Sequence, residues 1–123
     1  MKKIFLVEDD AFLSKMYVEK LSQTEEFAVR SFEFGKSALL AMEKEAPDLL
    51  LLDIILPDIN GIQILKKMKE NESLKSVPVL LLTNLNEKDY IDEALSLGAA
   101  GYLIKAHFTP NEVIDKIRQI MRF

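Results

Sequence analysis

The sequence predicts an α/β protein built on a doubly wound, five-stranded parallel sheet with five helices. Three observations lead there. Leu49, Leu50, Leu51 and Leu52 follow one another without a polar face. A strand there is buried on both sides, as in the middle of a helix-covered parallel sheet. Short apolar runs of this kind alternate strictly with segments of helical periodicity, five of each, which is the pattern of βαβ units with right-handed crossovers. The strand runs end in polar residues, Glu8-Asp9-Asp10, Asp53, Thr83 and Lys105. In a parallel sheet all of those ends lie on one edge, the edge at which open α/β sheets bind ligands.

The first strand is read at residues 3–8, around Ile4-Phe5-Leu6-Val7. Residues 11–24 read as a helix with Phe12, Leu13, Met16, Tyr17 and Leu21 near one face. Residues 27–33 alternate as an edge strand does, and Gly35 breaks them. A helix over 36–45 carries Leu39 and Met42 on its stripe and is closed by Pro47. After the leucine strand, Pro57 and the Asn60-Gly61 pair predict a loop and a turn. The third helix is 62–71, with Leu65 and Met68 inward. Residues 77–83 form a buried strand with Pro78 near its start, where a missing donor is tolerated. Asn86 is read as the N-cap of a helix reaching Leu97, with Tyr90, Ile91, Ala94 and Leu95 on its stripe and Gly98 as its stop. The fifth strand is 100–105. Thr109-Pro110-Asn111-Glu112 is a capping box with proline at the first helical position. It opens a last helix with Val113, Ile117, Ile120 and Met121 inward. A flavodoxin-like strand order, 2-1-3-4-5, covers both faces with helices and leaves the least apolar strand, 27–33, at an edge. Periodicity alone does not order strands, so this order rests on analogy.

The chain of 123 residues is expected to be one domain, residues 1–123, with no output domain. Sixteen Lys and Arg against twenty Asp and Glu give a net charge of −4, which argues against a nucleic-acid surface. With no cysteine, disulfides and thiolate metal sites are unavailable, and a cytoplasmic location fits. Met1-Lys2-Lys3 starts like a signal peptide, but the apolar run after it is short and ends at Glu8-Asp9-Asp10. Residues 49–56 are interrupted by Asp53 and fall far below a membrane span. A soluble protein without a membrane partner is expected.

Each polar strand end has a plain structural reading. Asp53 can simply end its strand, Asp9 or Asp10 can cap the first helix, Thr83 can be an ordinary β-branched strand residue, and Lys105 a solvated charge. Their convergence is harder to explain piecemeal. In the order proposed, the first and third strands are neighbours flanking the switch point, so their carboxylates meet there. Carboxylates gathered without a cation repel one another. Oxygen-only ligation suits Mg²⁺, and neither cysteine nor a second histidine beside His107 offers a zinc site. A metal, a free carboxylate, a hydroxyl and an ammonium around one cleft have a common client in a phosphoryl group. An Asp carboxylate can act as nucleophile and carry an aspartyl phosphate, while the metal and Lys105 neutralise charge.

With these residues in view, the whole chain resembles the receiver domain of bacterial two-component response regulators. The motifs that carry the resemblance are Ile4 to Val7 followed by Glu8-Asp9, Leu52-Asp53 with Pro57 and Gly61, Leu81-Leu82-Thr83, and Gly101-Tyr102-Leu103-Ile104-Lys105. A chemotaxis member of this family is itself an example of the 2-1-3-4-5 order. The resemblance implies that Asp53 is the phosphoacceptor, with Mg²⁺ held by Asp9, by Glu8 largely through water, by Asp53 and by the backbone carbonyl of Ile55. It implies Lys105 as the phosphate-pairing lysine, Thr83 as the switch hydroxyl and Tyr102 as the aromatic that moves with it. The donor it implies is the phosphohistidine of a histidine kinase or histidine phosphotransfer protein, or a small acyl phosphate. The product would be a phosphorylation-dependent switch rather than a turnover enzyme, monomeric or dimerising on phosphorylation, with an unidentified downstream protein target.

Two positions depart from the family pattern. Ala106 stands where proline usually follows the lysine, so a trans Lys105–Ala106 peptide is expected. Asn84 stands where a small residue is usual, and its side chain would narrow the donor's approach. Competing readings are a Mg²⁺-dependent phosphatase or phosphotransferase with an Asp nucleophile, a receiver piece of a larger transcriptional regulator, and a pseudo-receiver used only for protein contacts. The first generally wants an Asp-x-Asp pair and a cap insertion, which Glu8-Asp9-Asp10 does not supply. A nucleotide site is disfavoured because no Gly-rich phosphate loop follows the first strand. The intact Asp9, Asp53, Thr83 and Lys105 set argues against a pseudo-receiver.

Overall fold

A computed structural model describes residues 1–84, 87–107 and 109–121. The strands are β1 (Lys2–Val7), β2 (Phe27–Phe32), β3 (Leu49–Asp53), β4 (Val79–Thr83) and β5 (Gly101–Ile104). The helices are α1 (Ala11–Gln23), α2 (Gly35–Lys44), α3 (Gly61–Lys69), α4 (Lys88–Ser96) and α5 (Pro110–Met121), with a 3₁₀ turn at Lys105–His107. All neighbouring strands are parallel, in the order β2-β1-β3-β4-β5. The edge position of 27–33 and the flavodoxin-like topology are both as expected.

The two-residue period of the strands divides the core into two layers. Phe5, Val7, Leu50, Leu52, Val79 and Leu81 face one way, against Ala38 and Met42 of α2, Leu65 and Met68 of α3, and Ile91 of α4. Ile4, Leu6, Leu49, Leu51, Leu80 and Leu82 face the other, against Tyr17 and Leu21 of α1 and Val113 and Ile117 of α5. This double coverage is why Leu49 to Leu52 form an unbroken apolar run. All four are fully buried, and each contributes about 2 kcal/mol of transfer free energy, as an upper bound. No helix among the described residues is long and apolar enough to cross a membrane.

Several local expectations are corrected. Phe12 is 80% exposed; it lies five residues before Tyr17, about 140° round the helix, and so leaves the buried face. On α4 only Ile91 and Ala94 are buried, while Tyr90 and Leu95 flank that narrow face at 39% and 40% exposure. Gly35 starts α2 rather than separating it from the strand. Asn60-Gly61 does not form a turn of its own: Asn60 caps α3 through a reciprocal box with Gln63, and Gly61 is the first helical residue. The capping box at Thr109 and Glu112 forms as expected, and Gly98 ends α4 at φ +97°. No cis peptide bond occurs among the described residues, in line with the trans link expected after Lys105. The N-cap assigned to Asn86 lies outside the described residues.

Candidate functional site

Strand register builds the site. Val7 pairs with Leu52, and Asp53 with Leu82, so Glu8 and Asp53 emerge side by side from adjacent strands. By strand parity both continue the layer of Ile4, Leu6, Leu49 and Leu51 and turn towards the α1–α5 side. Both are buried, Glu8 at 2% and Asp53 at 4% exposure. Lys105, one residue past β5, reaches across the end of β4 to both carboxylates. Its Nζ donates to Asp53 Oδ2 at 2.9 Å and lies 2.7 Å from Glu8 Oε1. Lys105 is therefore an ion-pair partner and not a solvated charge.

The acidic triplet divides its work. Asp10 Oδ1 accepts the Phe12 and Leu13 backbone N–H groups at 2.9 and 3.1 Å, making it the N-cap of α1. Glu8 Oε2 accepts the Asp10 N–H at 3.2 Å. Asp9 is exposed and offers a carboxylate oxygen to a group of three, from Glu8, Asp9 and Asp53, all within 4.8 Å of one another. Asp53 Oδ1 accepts the Ile55 N–H at 3.3 Å. The buried Glu8 Oε1 is met by the Lys105 ammonium at 2.7 Å and takes no further hydrogen bond among the described residues. Three carboxylates that share a single ammonium carry excess negative charge, and their all-oxygen donor set fits a hard divalent cation.

Electrostatics reflect this crowding. Burial pushes the Glu8 carboxyl up to about 7; Lys105 opposes the shift and the Asp53 charge adds to it. Asp53 is likewise raised by burial, against the pull of Lys105. Burial would lower Lys105, but the two carboxylates hold it above its ordinary value. Tyr17, read from sequence only as a core residue, is raised by burial and feels the charges of Lys105, Glu8 and Asp53.

Thr83 ends β4 with Ile104 as its β5 partner and is fully buried. Its hydroxyl donates to the carboxylate of Glu87, a residue the sequence reading passed over. The Asn84 N–H donates to the same Glu87 oxygen at 3.2 Å. Tyr102 is 42% exposed on β5. Asp58 also escaped notice: its two oxygens accept the Gly35 and Lys36 N–H groups, each at 2.9 Å. It thereby tethers the loop after Asp53 to the start of α2. Neither carboxylate had a sequence signal, because each acts through a loop conformation rather than a helical or strand period.

Fold and site together define an α/β module with an acidic, lysine-paired cluster at the switch point of its sheet. The chain belongs to the response regulator receiver domain family, whose model matches residues 4–118. As a receiver domain it is a phosphorylation-dependent signalling module. The regulatory protein VanRc of Enterococcus gallinarum is 38% identical over 121 residues, covering 98% of this chain and 50% of that protein. The phosphate regulon transcriptional regulatory protein PhoB of Escherichia coli is 33% identical over 98% of this chain and 52% of its own length. The chain thus spans about half the length of these relatives. A putative response regulator from Chloroflexus aurantiacus superposes with a TM-score of 0.91 at 28% identity, covering 99% of this chain and 98% of that one.

Proposed function

We propose that Asp53 accepts a phosphoryl group from the phosphohistidine of a histidine kinase or histidine phosphotransfer protein, or from a small acyl phosphate. The observation that carries this reading is the meeting of buried Asp53 with Glu8, an Asp9 oxygen and the Lys105 ammonium at one sheet edge. An Asp53 oxygen would attack phosphorus and form the new P–O bond, while the donor bond breaks: the P–N bond of a phosphohistidine, its electron pair staying on the imidazole, or the P–O bond of an acyl phosphate, its carboxylate leaving. The 2.9 Å contact of Lys105 with Asp53 supports it as the group that follows the phosphoryl charge. Glu8, Asp9 and Asp53, with the backbone carbonyl of Ile55, are the residues that would hold Mg²⁺. When bound, the ion neutralises negative charge on the reacting oxygens.

Thr83 and Tyr102 form the switch in this reading. A phosphoryl group adds nearly two negative charges and three acceptor oxygens beside Asp53. Drawing the Thr83 hydroxyl towards it vacates space along β4, and the half-exposed Tyr102 ring turns into that space. The α4–β5–α5 surface is thereby reset for a downstream protein. The two relatives are named as regulatory proteins, and PhoB as a transcriptional one, which supports an output step carried by a different unit. The chain is a phosphoryl acceptor, not a turnover enzyme, and acts as a monomer or as a dimer formed on phosphorylation.

Intact-mass spectrometry after incubation with acetyl phosphate, with and without Mg²⁺, tests the reading. One added phosphoryl group is expected in the wild type with Mg²⁺, and none in Asp53→Asn or in EDTA. An unmodified wild type, or a modified Asp53→Asn, would overturn it.

A further inference from the structure

We infer that Glu87 is a positioning residue for the switch, its carboxylate engaging the Thr83 hydroxyl in the unphosphorylated protein and holding it away from Asp53. The inference rests on the reading of Asp53 as phosphoacceptor and adds a competitor to it. A hydroxyl has one proton and makes one full donor bond. Here the nearer acceptor is a carboxylate, the stronger kind, with the Asn84 carbonyl oxygen farther off at 3.4 Å. Both partners are buried, Thr83 at 0% and Glu87 at 9% exposure, so water does not readily take over the bond.

Glu87 is not behaving as a helix cap. It directly precedes α4, yet its side chain accepts none of that helix's N–H groups. The carboxylate turns back to the end of β4 instead. It takes the Thr83 hydroxyl and the Asn84 N–H on Oε2, and the Asn84 side-chain amide lies 3.4 Å from Oε1. Three donors at the end of β4 thus converge on one internal anion. The backbone ties this arrangement to α4: the Glu87 N–H donates to the Asn84 carbonyl at 3.2 Å, and the Glu87 carbonyl accepts the Ile91 N–H at 3.0 Å. A phosphoryl group on Asp53 and the Glu87 carboxylate compete for one proton. Taking Thr83 frees Glu87 and loosens the start of α4, and by linkage any partner that favours the freed α4 favours phosphorylation.

The test is a titration of the full chain with beryllofluoride and Mg²⁺, followed by amide NMR. It uses wild type, Glu87→Ala, Glu87→Gln, Thr83→Ala and the Thr83→Ala/Glu87→Ala double variant. Glu87→Ala is expected to bind the mimic about tenfold more tightly than wild type, as loss of a charge-assisted acceptor implies. Glu87→Gln should fall between them, because its amide oxygen is an uncharged acceptor for the same hydroxyl. In the Thr83→Ala background the gain from Glu87→Ala should shrink to about twofold or less, the signature of coupling through that hydroxyl. An equal gain in both backgrounds would mean simple charge repulsion and overturns the inference. The Glu87 side-chain carboxyl ¹³C resonance should shift when wild type is saturated, and an unmoved resonance also overturns it. If Glu87→Ala does not fold, Glu87→Gln and this resonance decide. A wild type that binds the mimic, with affinity unchanged in Glu87→Gln and Glu87→Ala, defeats the inference alone. A wild type that does not bind defeats both it and the phosphoacceptor reading.

Discussion

Glu8 and Asp53 are two buried carboxylates sharing one ammonium, and that imbalance should be measurable as a pH dependence of stability. Burial raises the Glu8 carboxyl to about 7 from an ordinary 4.5, with Lys105 opposing. Between those values the folded chain holds more protons than the unfolded one, so metal-free stability is highest below the window and falls as pH rises through it. A shift of that size corresponds to about 3 kcal/mol at most, and Glu8 and Asp53 titrate as a pair rather than singly. Urea unfolding in EDTA should therefore show a loss of about 1–3 kcal/mol from pH 5 to pH 8. Glu8→Gln should flatten that slope. A wild type equally stable at both pH values would show that Lys105 already balances the pair.

At the scale of elements, the segment from β3 to α3 holds Asp53 in position through contacts the sequence only partly announces. The Gly61 N–H donates to the Ile54 carbonyl at 2.6 Å. A Cβ on Gly61 would lie 2.9 Å from both the Asp53 carbonyl oxygen and the Ile54 Cα. Both are backbone atoms that cannot turn aside, so Gly61→Ala must push α3 off this loop. It should cost about 2 kcal/mol in urea unfolding and weaken Mg²⁺ binding as well; a variant with wild-type stability would contradict the close approach. Asp58 supplies what Phe34 cannot. Phe34 stands at the N-cap of α2 without a side-chain acceptor, and Asp58 caps from the neighbouring loop. Asp58→Ala should cost about 1 kcal/mol, and Asp58→Asn less, since one oxygen remains; equal losses in the two would point to charge rather than capping.

These contrasts mark what the sequence could convey. The leucine run at 49–52, the polar strand ends and the Thr109 box each follow a short-range rule, and they suffice for the parallel sheet, the edge where its polar ends gather and the last helix, while the strand order rests on the family resemblance. Glu8, Asp9, Asp53 and Lys105 come together as expected because strand ends in a parallel sheet share an edge. Glu87 and Asp58 give no such signal, since their partners are set by how a loop folds back. Phe12, Tyr90 and Leu95 lie farther out than their periodicity implies, because an apolar residue beside a buried stripe need not lie on it.

At the scale of the whole molecule, folding gathers carboxylates from β1 and β3 that the unfolded chain keeps apart, so a divalent cation binding only the folded form should stabilise it. At about 100 times its dissociation constant, such a ligand contributes about 2.7 kcal/mol. For a domain of this size that is a rise of about 10 °C in melting temperature. The three ligand candidates should answer differently. Asp9 is exposed, so Asp9→Asn should change metal-free melting little while removing most of the Mg²⁺ shift. Asp53 is buried beside Glu8, so Asp53→Asn relieves repulsion: it should raise metal-free melting by a few degrees and also abolish the Mg²⁺ response. Such a gain on removing a site residue is a trade between stability and function. Lowering the pH from 8 to 6 should demand more Mg²⁺ for the same shift, because a proton on Glu8 competes with the ion. Differential scanning calorimetry of wild type, Asp9→Asn and Asp53→Asn in EDTA and in saturating Mg²⁺, with a Mg²⁺ titration of the wild type at pH 6 and pH 8, checks all of this. A wild-type transition that Mg²⁺ leaves in place would show that the clustered carboxylates do not bind the ion.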